Sequence, residues 1–159
     1  NTKELNRQLL LKIYSNTSPS EESLVVLDDK KNSCYMGCKP YKEVCEEMDK
    51  SDLVLFIESF EKKCIKSTRL SFSTKIIDCM QSTAGIIAIG PQEIASMDYI
   101  IRNNLGYIIS NLTQMEDRLT YLVEHPEIIQ ENNKHKVEYA QAYHTNTSVK
   151  ALNEIRKIL

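Results

Sequence analysis

Glycine is scarce in this sequence, and several ligand-binding motifs that depend on glycine are missing. Only four glycines occur among 159 residues. Neither the GxGxxG turn of dinucleotide-binding folds nor the GK[ST] end of a phosphate-binding loop is present. No serine lies in the G-x-S-x-G turn of α/β-hydrolases. These absences exclude two common nucleotide-binding loops and leave a hydrolase triad without support.

Long apolar runs and a strong excess of one charge are also lacking. The longest apolar runs, 53–57 and 86–89, are far shorter than the roughly 20 residues that a membrane-spanning helix needs. The 20 basic and 22 acidic residues give a net charge of −2, which disfavours a basic nucleic-acid binder. A hydrophobic content of 42% excludes an acidic disordered chain. No secretory signal is recognisable, and because Asn1 is not an initiator, we expect a truncated or processed chain.

The cysteines and histidines do not form a recognisable chemical motif. There is no CxxC pair, and the spacing Cys34-x3-Cys38-x6-Cys45 matches no usual zinc site. We therefore expect no bound metal and predict that the five cysteines are reduced thiols of a cytosolic protein. The three histidines fall in or between the predicted C-terminal helices, which favours surface or helix-end positions over catalysis.

Strand-like apolar runs alternate with helix-period segments along the whole chain. Strands are predicted at 9–14, 33–36, 52–58, 86–89 and 107–110, and helices at 20–27, 40–49, 73–82, 94–103, 112–122, 126–143 and 146–159. A polar loop is predicted at 59–70. This alternation predicts one domain over 1–159: a Rossmann-like three-layer α/β/α fold with one parallel sheet of about five strands. The apolar run 53–57 predicts a strand buried on both faces.

Polar residues with binding chemistry are concentrated after the third predicted strand. Ligands of open α/β sheets bind beyond the carboxyl ends of the strands, which selects the stretch 58–78. Its polar residues near the start of a predicted helix are Arg69, Ser71, Ser73, Thr74 and Lys75. Free N–H groups at such a start favour phosphate, and Asp78 one turn later suits sugar hydroxyls. The alternative is that the serines are helix caps and that Lys75 and Asp78 are solvated.

The sequence 69–78, RLSFSTKIID, followed by IIAIGP at 86–91, resembles the donor-binding C-terminal half of GT-B glycosyltransferases. The resemblance continues over 34–37, 40–44, 51–55, 99–107 and 126–127, so that it covers nearly the whole chain. Its most specific part is 71–78 together with Gly90 and Pro91. The sequence departs from the pattern at Leu70, where the retaining branch has the first acid of E-x7-E, and at 83–85, where relatives usually show Gly-x-Pro.

The resemblance implies a sugar-nucleotide donor as substrate, with no separate cofactor. The base would lie near Gly37, the diphosphate over Ser73 to Lys75, and the ribose near Asp78. Glu58 would substitute for the acid that is absent at Leu70. The complete set of expected donor-binding residues is Gly37, Glu58, Arg69, Ser71, Ser73, Thr74, Lys75, Asp78 and Gly90, and catalytic residues are not identified.

The resemblance also indicates what surrounds this domain. The family's acceptor-binding N-terminal domain, and the first strand, loop and helix of the donor domain, are absent from the 159 residues, so we expect an inactive fragment. The expected acceptor is a saccharide or lipid-linked glycan in the synthesis of a surface polysaccharide or glycoconjugate. The expected location is the cytoplasm, or the inner face of the membrane through the missing part, and no nucleic acid is expected as a partner. A GT-B sugar-nucleotide epimerase and a non-catalytic flavodoxin-like binding module remain the alternatives.

Overall fold

The computed structural model describes residues 9–143, which form an α/β fold with parallel strands in two small open sheets. The strands are β1 (Leu11–Tyr14), β2 (Ser33–Gly37), β3 (Leu53–Ile57), β4 (Gly85–Ile89) and β5 (Tyr107–Ile109). The helices are α1 (Glu21–Leu27), α2 (Tyr41–Asp49), α3 (Lys62–Thr68), α4 (Lys75–Gln81), α5 (Ala95–Arg102), α6 (Met115–Glu124) and α7 (Glu127–Tyr143). The predicted alternation of strands and helices is confirmed, and the helix predicted at 146–159 lies outside the described residues.

The five strands are divided between two sheets. One sheet pairs β1 with β2, and the other has the order β3-β4-β5, with every pairing parallel. Residues 9–143 thus form parallel sheets of two and three strands, where the sequence predicts one sheet of about five. The strand count was readable from apolar runs, whereas the pairing between strands depends on backbone hydrogen bonds that no run of residue types specifies.

The core is built on both faces of β4, whose five residues are all buried. Val54, Phe56, Ile76, Ile86 and Met97 belong to the larger of two apolar clusters, which also receives Ala140 from α7. The smaller cluster contains Ile87, Ile89, Tyr107, Ile109 and Leu122. Both faces of β4 are thus covered, as a central strand of a parallel sheet requires.

Strand β3 is buried on one face, and on its other face only Leu53 packs against the smaller cluster, which corrects the prediction that 53–57 is buried on both faces. Val54 and Phe56 are buried in the larger cluster. Leu55 and Ile57 point to the other face and are 39% and 57% exposed. The apolar run therefore identified a strand correctly without establishing that a second layer covers it.

The predicted loop at 59–70 contains a helix, α3, which the sequence analysis missed. Its composition is rich in Lys, Ser and Thr, and the hydroxyls of Ser67 and Thr68 donate to the Cys64 carbonyl at 2.9 Å each. Only Cys64 and Ile65 give it apolar character, so the helical period was too weak to detect.

Within residues 9–143, no helix is long and apolar enough to cross a bilayer.

A buried lysine connects α7 to the end of α4. Lys136 is fully buried, and its ammonium donates to the carbonyl of Cys79 at 3.3 Å and to those of Ser82 and Ala84. Carbonyls at a helix end have no partner within the helix, and a cation is favourable there. Lys136 therefore fixes the turn between α4 and β4 to the last described helix.

All five cysteines are free, and Cys79 is the one buried in the core.

Candidate functional site

The carboxyl ends of β3 and β4 meet at Glu58 and Gly90. The Glu58 N–H donates to the Ile89 carbonyl at 2.8 Å. A Cβ on Gly90 would lie 2.8 Å from Glu58 Cβ and 3.1 Å from Met97 Cγ. Gly90 is therefore required by the close approach of the strand end to Glu58 and to α5.

Glu58 lies within the electrostatic reach of Lys75. Partial burial raises the pKa of the Glu58 carboxyl, and the Lys75 ammonium opposes that shift. Lys75 is the first residue of α4, and its side chain is exposed. The structure thus brings a carboxylate from the end of β3 toward a cation at the start of α4.

Helix α5 holds the segment that contains Arg69, Ser71 and Ser73. The Ala95 N–H donates to the Arg69 carbonyl at 2.9 Å. The Ser73 N–H donates to Ser96 Oγ at 2.8 Å, and Ser96 Oγ donates to the Ser71 carbonyl at 3.5 Å. The Ser96 side chain is completely buried, whereas Ser71 is exposed and Ser73 is half-buried, so these contacts lie at the boundary between core and solvent. The backbone of the predicted phosphate-binding segment is therefore fixed from beneath by a residue that the sequence analysis missed.

Helix α4 begins at Lys75, two residues later than predicted. Thr74 occupies the N-cap position with φ −65° and ψ −21°, and its side chain makes no capping hydrogen bond. Because Thr74 and not Ser71 or Ser73 occupies the N-cap position, the alternative in which these serines cap the helix is wrong. The exposed Thr74 side chain remains available to a ligand over the start of α4.

Asp78 is held by a tyrosine from α2. The Tyr41 hydroxyl donates to Asp78 Oδ1 at 2.7 Å, and this bond raises the pKa of Tyr41. Gly37, whose φ of +75° is the left-handed conformation that favours glycine, ends β2 four residues before Tyr41. The contact connects the start of α2, which follows Gly37, with α4. Tyr41 and Asp78 are 37 residues apart in sequence, so spacing alone could not pair them.

The two cavities described in the structure lie away from the predicted donor-binding residues. A cavity of about 620 Å³ is lined by residues at the amino end of β3 and by α6 and α7, among them Asp52, Leu53 and Ile129. A second, of about 300 Å³, lies beside the carboxyl end of β5. None of the nine predicted donor-binding residues lines either cavity. Of the predicted residues, Arg69, Ser71, Thr74 and Lys75 have exposed side chains, and Gly90 is buried.

The histidines have local partners. His125 Nδ1 lies 3.0 Å from a carboxylate oxygen of Glu127, and His135 Nε2 lies 2.9 Å from the Asn103 carbonyl. His144 is outside the described residues. Among residues 9–143, no group of three or more His, Cys, Asp or Glu side chains is arranged to hold a metal ion.

Comparison with known proteins does not assign this surface. No protein-family model and no curated protein matches the sequence. The interpretation of the site therefore depends on its geometry and on the sequence pattern at 69–78 and 86–91.

Proposed function

We propose that this chain is the donor-binding domain of a GT-B glycosyltransferase and binds a sugar nucleotide over the start of α4. The observation that carries the proposal is the fixed segment 69–73 leading into α4, which lies beside the carboxyl ends of two parallel strands. In open α/β folds this is where ligands bind. The pattern RLSFSTKIID that suggested the family occupies this segment and helix.

The charges on this surface suit a nucleoside diphosphate. Lys75 is an exposed cation at the start of α4, Arg69 is an exposed cation at the end of α3, and the Thr74 hydroxyl is an additional donor. The hydrogen bonds from α5 fix the backbone of 69–73 before a ligand arrives, which reduces the entropy lost on binding. The diphosphate therefore lies over Ser73, Thr74 and Lys75.

Asp78 supplies the acceptor for ribose hydroxyls. Its Oδ1 accepts from Tyr41, and a carboxylate has lone pairs on both oxygens for further donors. The Tyr41 bond fixes the orientation of the carboxyl group on α4. Glu58, kept near Lys75, is the carboxylate available to the donor sugar.

In this function the two sheets are parts of one Rossmann-like sheet, and acceptor binding belongs to a separate domain. Transfer then requires both domains to position their substrates across a cleft. The products of this transfer would be surface polysaccharides or glycoconjugates, made in the cytoplasm or at the inner face of the membrane.

Calorimetric titration of the 159-residue chain with UDP-, GDP- and ADP-glucose tests this proposal. We expect one of the three bases to be preferred. Lys75→Ala and Asp78→Ala should each raise the dissociation constant about 10- to 100-fold, since each removes a hydrogen bond to a charged group. Lys62→Ala, which changes an exposed lysine on α3, is the matched control and should leave affinity unchanged.

Circular dichroism of each variant must match the parent chain, so that lost affinity is not confused with lost structure. Absence of binding by all three sugar nucleotides contradicts the proposal. Equal affinities for the parent chain, Lys75→Ala and Asp78→Ala would place the nucleotide elsewhere.

A further inference from the structure

The stretch 62–69, which contains α3, has the densest positive charge in the sequence. It includes no acidic residue and four cations, which are Lys62, Lys63, Lys66 and Arg69. The whole chain has a net charge of −2, so the remaining residues are together negative. Charge is therefore distributed very unevenly over this protein.

Helical spacing places these cations on one side of α3. Lys62, Lys66 and Arg69 are four and three residues apart, and the backbone is still helical at Arg69, with φ −48° and ψ −41°. The other side of the helix faces the protein, because Ile65 packs against the larger apolar cluster. All four cations have exposed side chains. Together they form a basic outer face.

These four cations are not neutralised by neighbouring carboxylates. None of the ion pairs found among residues 9–143 includes them. Glu61, the acid just before α3, accepts instead from the half-buried Cys64 Sγ at 3.7 Å. Elsewhere three lysines converge on Glu47, each at 3.6 Å; they are Lys12, Lys39 and Lys50. The charge of α3 is therefore available to an anion from outside the chain.

An exposed leucine follows the cations directly. Leu70 is 84% exposed, the highest fraction among the exposed large apolar residues of 9–143. The Ser71 N–H donates to the Thr68 carbonyl at 2.8 Å, so Leu70 is a central residue of a tight turn at the end of α3. An apolar side chain beside cations on a helix is typical of surfaces that lie on a membrane.

Exposure of apolar side chains alone does not mark such a surface. Val25 and Val26 on α1 are 78% and 77% exposed. Their helix carries Glu21 and Glu22 in its first turn and has no cation. An anionic surface would repel α1, whereas it would attract α3.

We propose that α3, with Arg69 and Leu70, is a membrane-contact face whose partner is a bilayer containing anionic phospholipid. The cations bind lipid phosphates, and Leu70 enters the boundary between the headgroups and the acyl chains. The helix lies on the bilayer surface and does not span it. The inference follows from α3 and Leu70 and does not depend on sugar-nucleotide binding.

Nucleic acid, the other polyanion that this face would attract, fits less well. Proteins hold single strands by stacking bases on aromatic side chains, and an aliphatic leucine offers no such surface. Phe72, two residues after Leu70, packs edge-on against Tyr99 with ring centroids 5.2 Å apart. A bilayer provides anionic groups and hydrocarbon together, and the cations and Leu70 require both.

Co-sedimentation of the 159-residue chain with lipid vesicles tests the proposal. Vesicles of phosphatidylcholine with about 30% phosphatidylglycerol are compared with vesicles of phosphatidylcholine alone. We expect binding to the anionic vesicles to be at least tenfold stronger. Raising sodium chloride from about 0.05 M to about 0.5 M should weaken that binding at least tenfold, because salt screens the attraction.

Two triple variants of equal net charge test whether the binding belongs to α3. Each lysine near an anionic bilayer contributes about fivefold, so Lys62→Gln, Lys63→Gln and Lys66→Gln together should weaken binding about 100-fold. Arg69 stays unchanged, because it is also an expected donor-binding residue. The control replaces three exposed lysines elsewhere by glutamine, at Lys42, Lys50 and Lys134, and should bind within about threefold of the parent chain.

A second pair of variants tests the apolar contribution. Leu70→Ser should weaken binding to the anionic vesicles at least fivefold, because less hydrocarbon enters the bilayer. Val25→Ser, at a similarly exposed residue on α1, is the matched control and should have no effect. Both side chains are exposed, so circular dichroism of each variant should match that of the parent chain.

Four results would overturn the proposal. The first is equal binding to the two kinds of vesicle, or binding to neither. The second is an equal loss in both triple variants, which assigns the attraction to total charge. The third is unchanged binding of Leu70→Ser. The fourth is tighter binding to a mixed-sequence single-stranded RNA than to the anionic vesicles, which assigns the face to nucleic acid. None of these measurements uses a sugar nucleotide, so failure here is separate from failure of the proposed function.

Discussion

Replacing Lys136 by methionine tests the role of the buried ammonium directly. The side chain is fully buried on α7 and donates to three carbonyls, those of Cys79, Ser82 and Ala84. Methionine has similar length but no donor. The variant therefore leaves three buried carbonyls without this partner while keeping most of the packing.

The expected loss is about 2–4 kcal/mol of unfolding free energy. Each unsatisfied buried carbonyl costs about 1–3 kcal/mol, and the relief of the penalty for burying an ammonium offsets part of the sum. For a chain of this size, such a loss lowers the melting temperature by about 5–15 °C. Lys134→Met, which changes an exposed lysine two residues earlier on α7, should change stability by less than about 0.5 kcal/mol.

The contribution of Lys136 also depends on pH. Burial lowers the pKa of Lys136 from its ordinary 10.5 to about 8. Between these values the unfolded chain holds a proton that the folded chain has released, so stability rises with pH. The cost of burying the charged ammonium is fully present below about pH 8 and is relieved by about pH 10.5. The unfolding free energy therefore rises by about 3 kcal/mol at most over this range.

Urea unfolding of the parent chain, Lys136→Met and Lys134→Met at pH 7 and pH 9.5, under reducing conditions, measures both effects. The advantage of the parent chain over Lys136→Met should be larger at pH 9.5. Burial raises the pKa of Cys79 to about 11, and the Lys136 ammonium opposes that shift. Because the folded thiol stays protonated at pH 9.5 with or without Lys136, its opposite contribution nearly cancels in the difference. A loss below about 1 kcal/mol at pH 7, or an advantage that shrinks at pH 9.5, refutes this reasoning.

Three further predictions concern the candidate site and its activity. Gly90→Ala places a Cβ 2.8 Å from Glu58 Cβ, and urea unfolding should show a loss of about 1–3 kcal/mol; unchanged stability would mean that the strand ends separate easily. Ser96→Ala removes the acceptor of the Ser73 N–H, so amide exchange at Ser73 should accelerate at least tenfold while exchange in β4 stays slow; an unchanged rate would show that other contacts hold the segment. From the proposed function, the 159-residue chain alone should transfer no sugar from any sugar nucleotide to an acceptor, because that function assigns acceptor binding to a separate domain, and measurable turnover in a product assay would contradict this.

The sequence predicted the parts of the fold that depend on local apolar patterns. Strands β3 and β4 and helix α5 lie where the runs and periods placed them. Sheet pairing was not predictable in this way, because the hydrogen bonds at a strand edge do not depend on side-chain type. Helix α3 was missed because Cys64 and Ile65 are too few to give it an apolar stripe.

The positions of the candidate site stay a prediction from the sequence pattern, and the residues that support the segment could not be predicted. The predicted segment 69–78 is fixed by Ser96 and Tyr41, which are 23 and 37 residues away from their partners Ser73 and Asp78. A serine within a helix and an exposed tyrosine carry no signal in a single sequence. Lys136 was unpredictable for a different reason, since lysine is almost never fully buried.

The burial of Cys79 makes local opening of this protein measurable without an added label. Its thiol lies in the core and its pKa is raised to about 11 by burial, so a thiol-specific reagent meets neither an accessible sulfur nor a thiolate. Alkylation of Cys79 then requires α4 to leave the core, whereas Cys38 is exposed and should react directly. The ratio of the two alkylation rates, followed by mass spectrometry, reports the fraction of molecules in which α4 is open. Because Lys75 and Asp78 lie on that helix, a ligand bound to them should slow the alkylation of Cys79 and leave that of Cys38 unchanged.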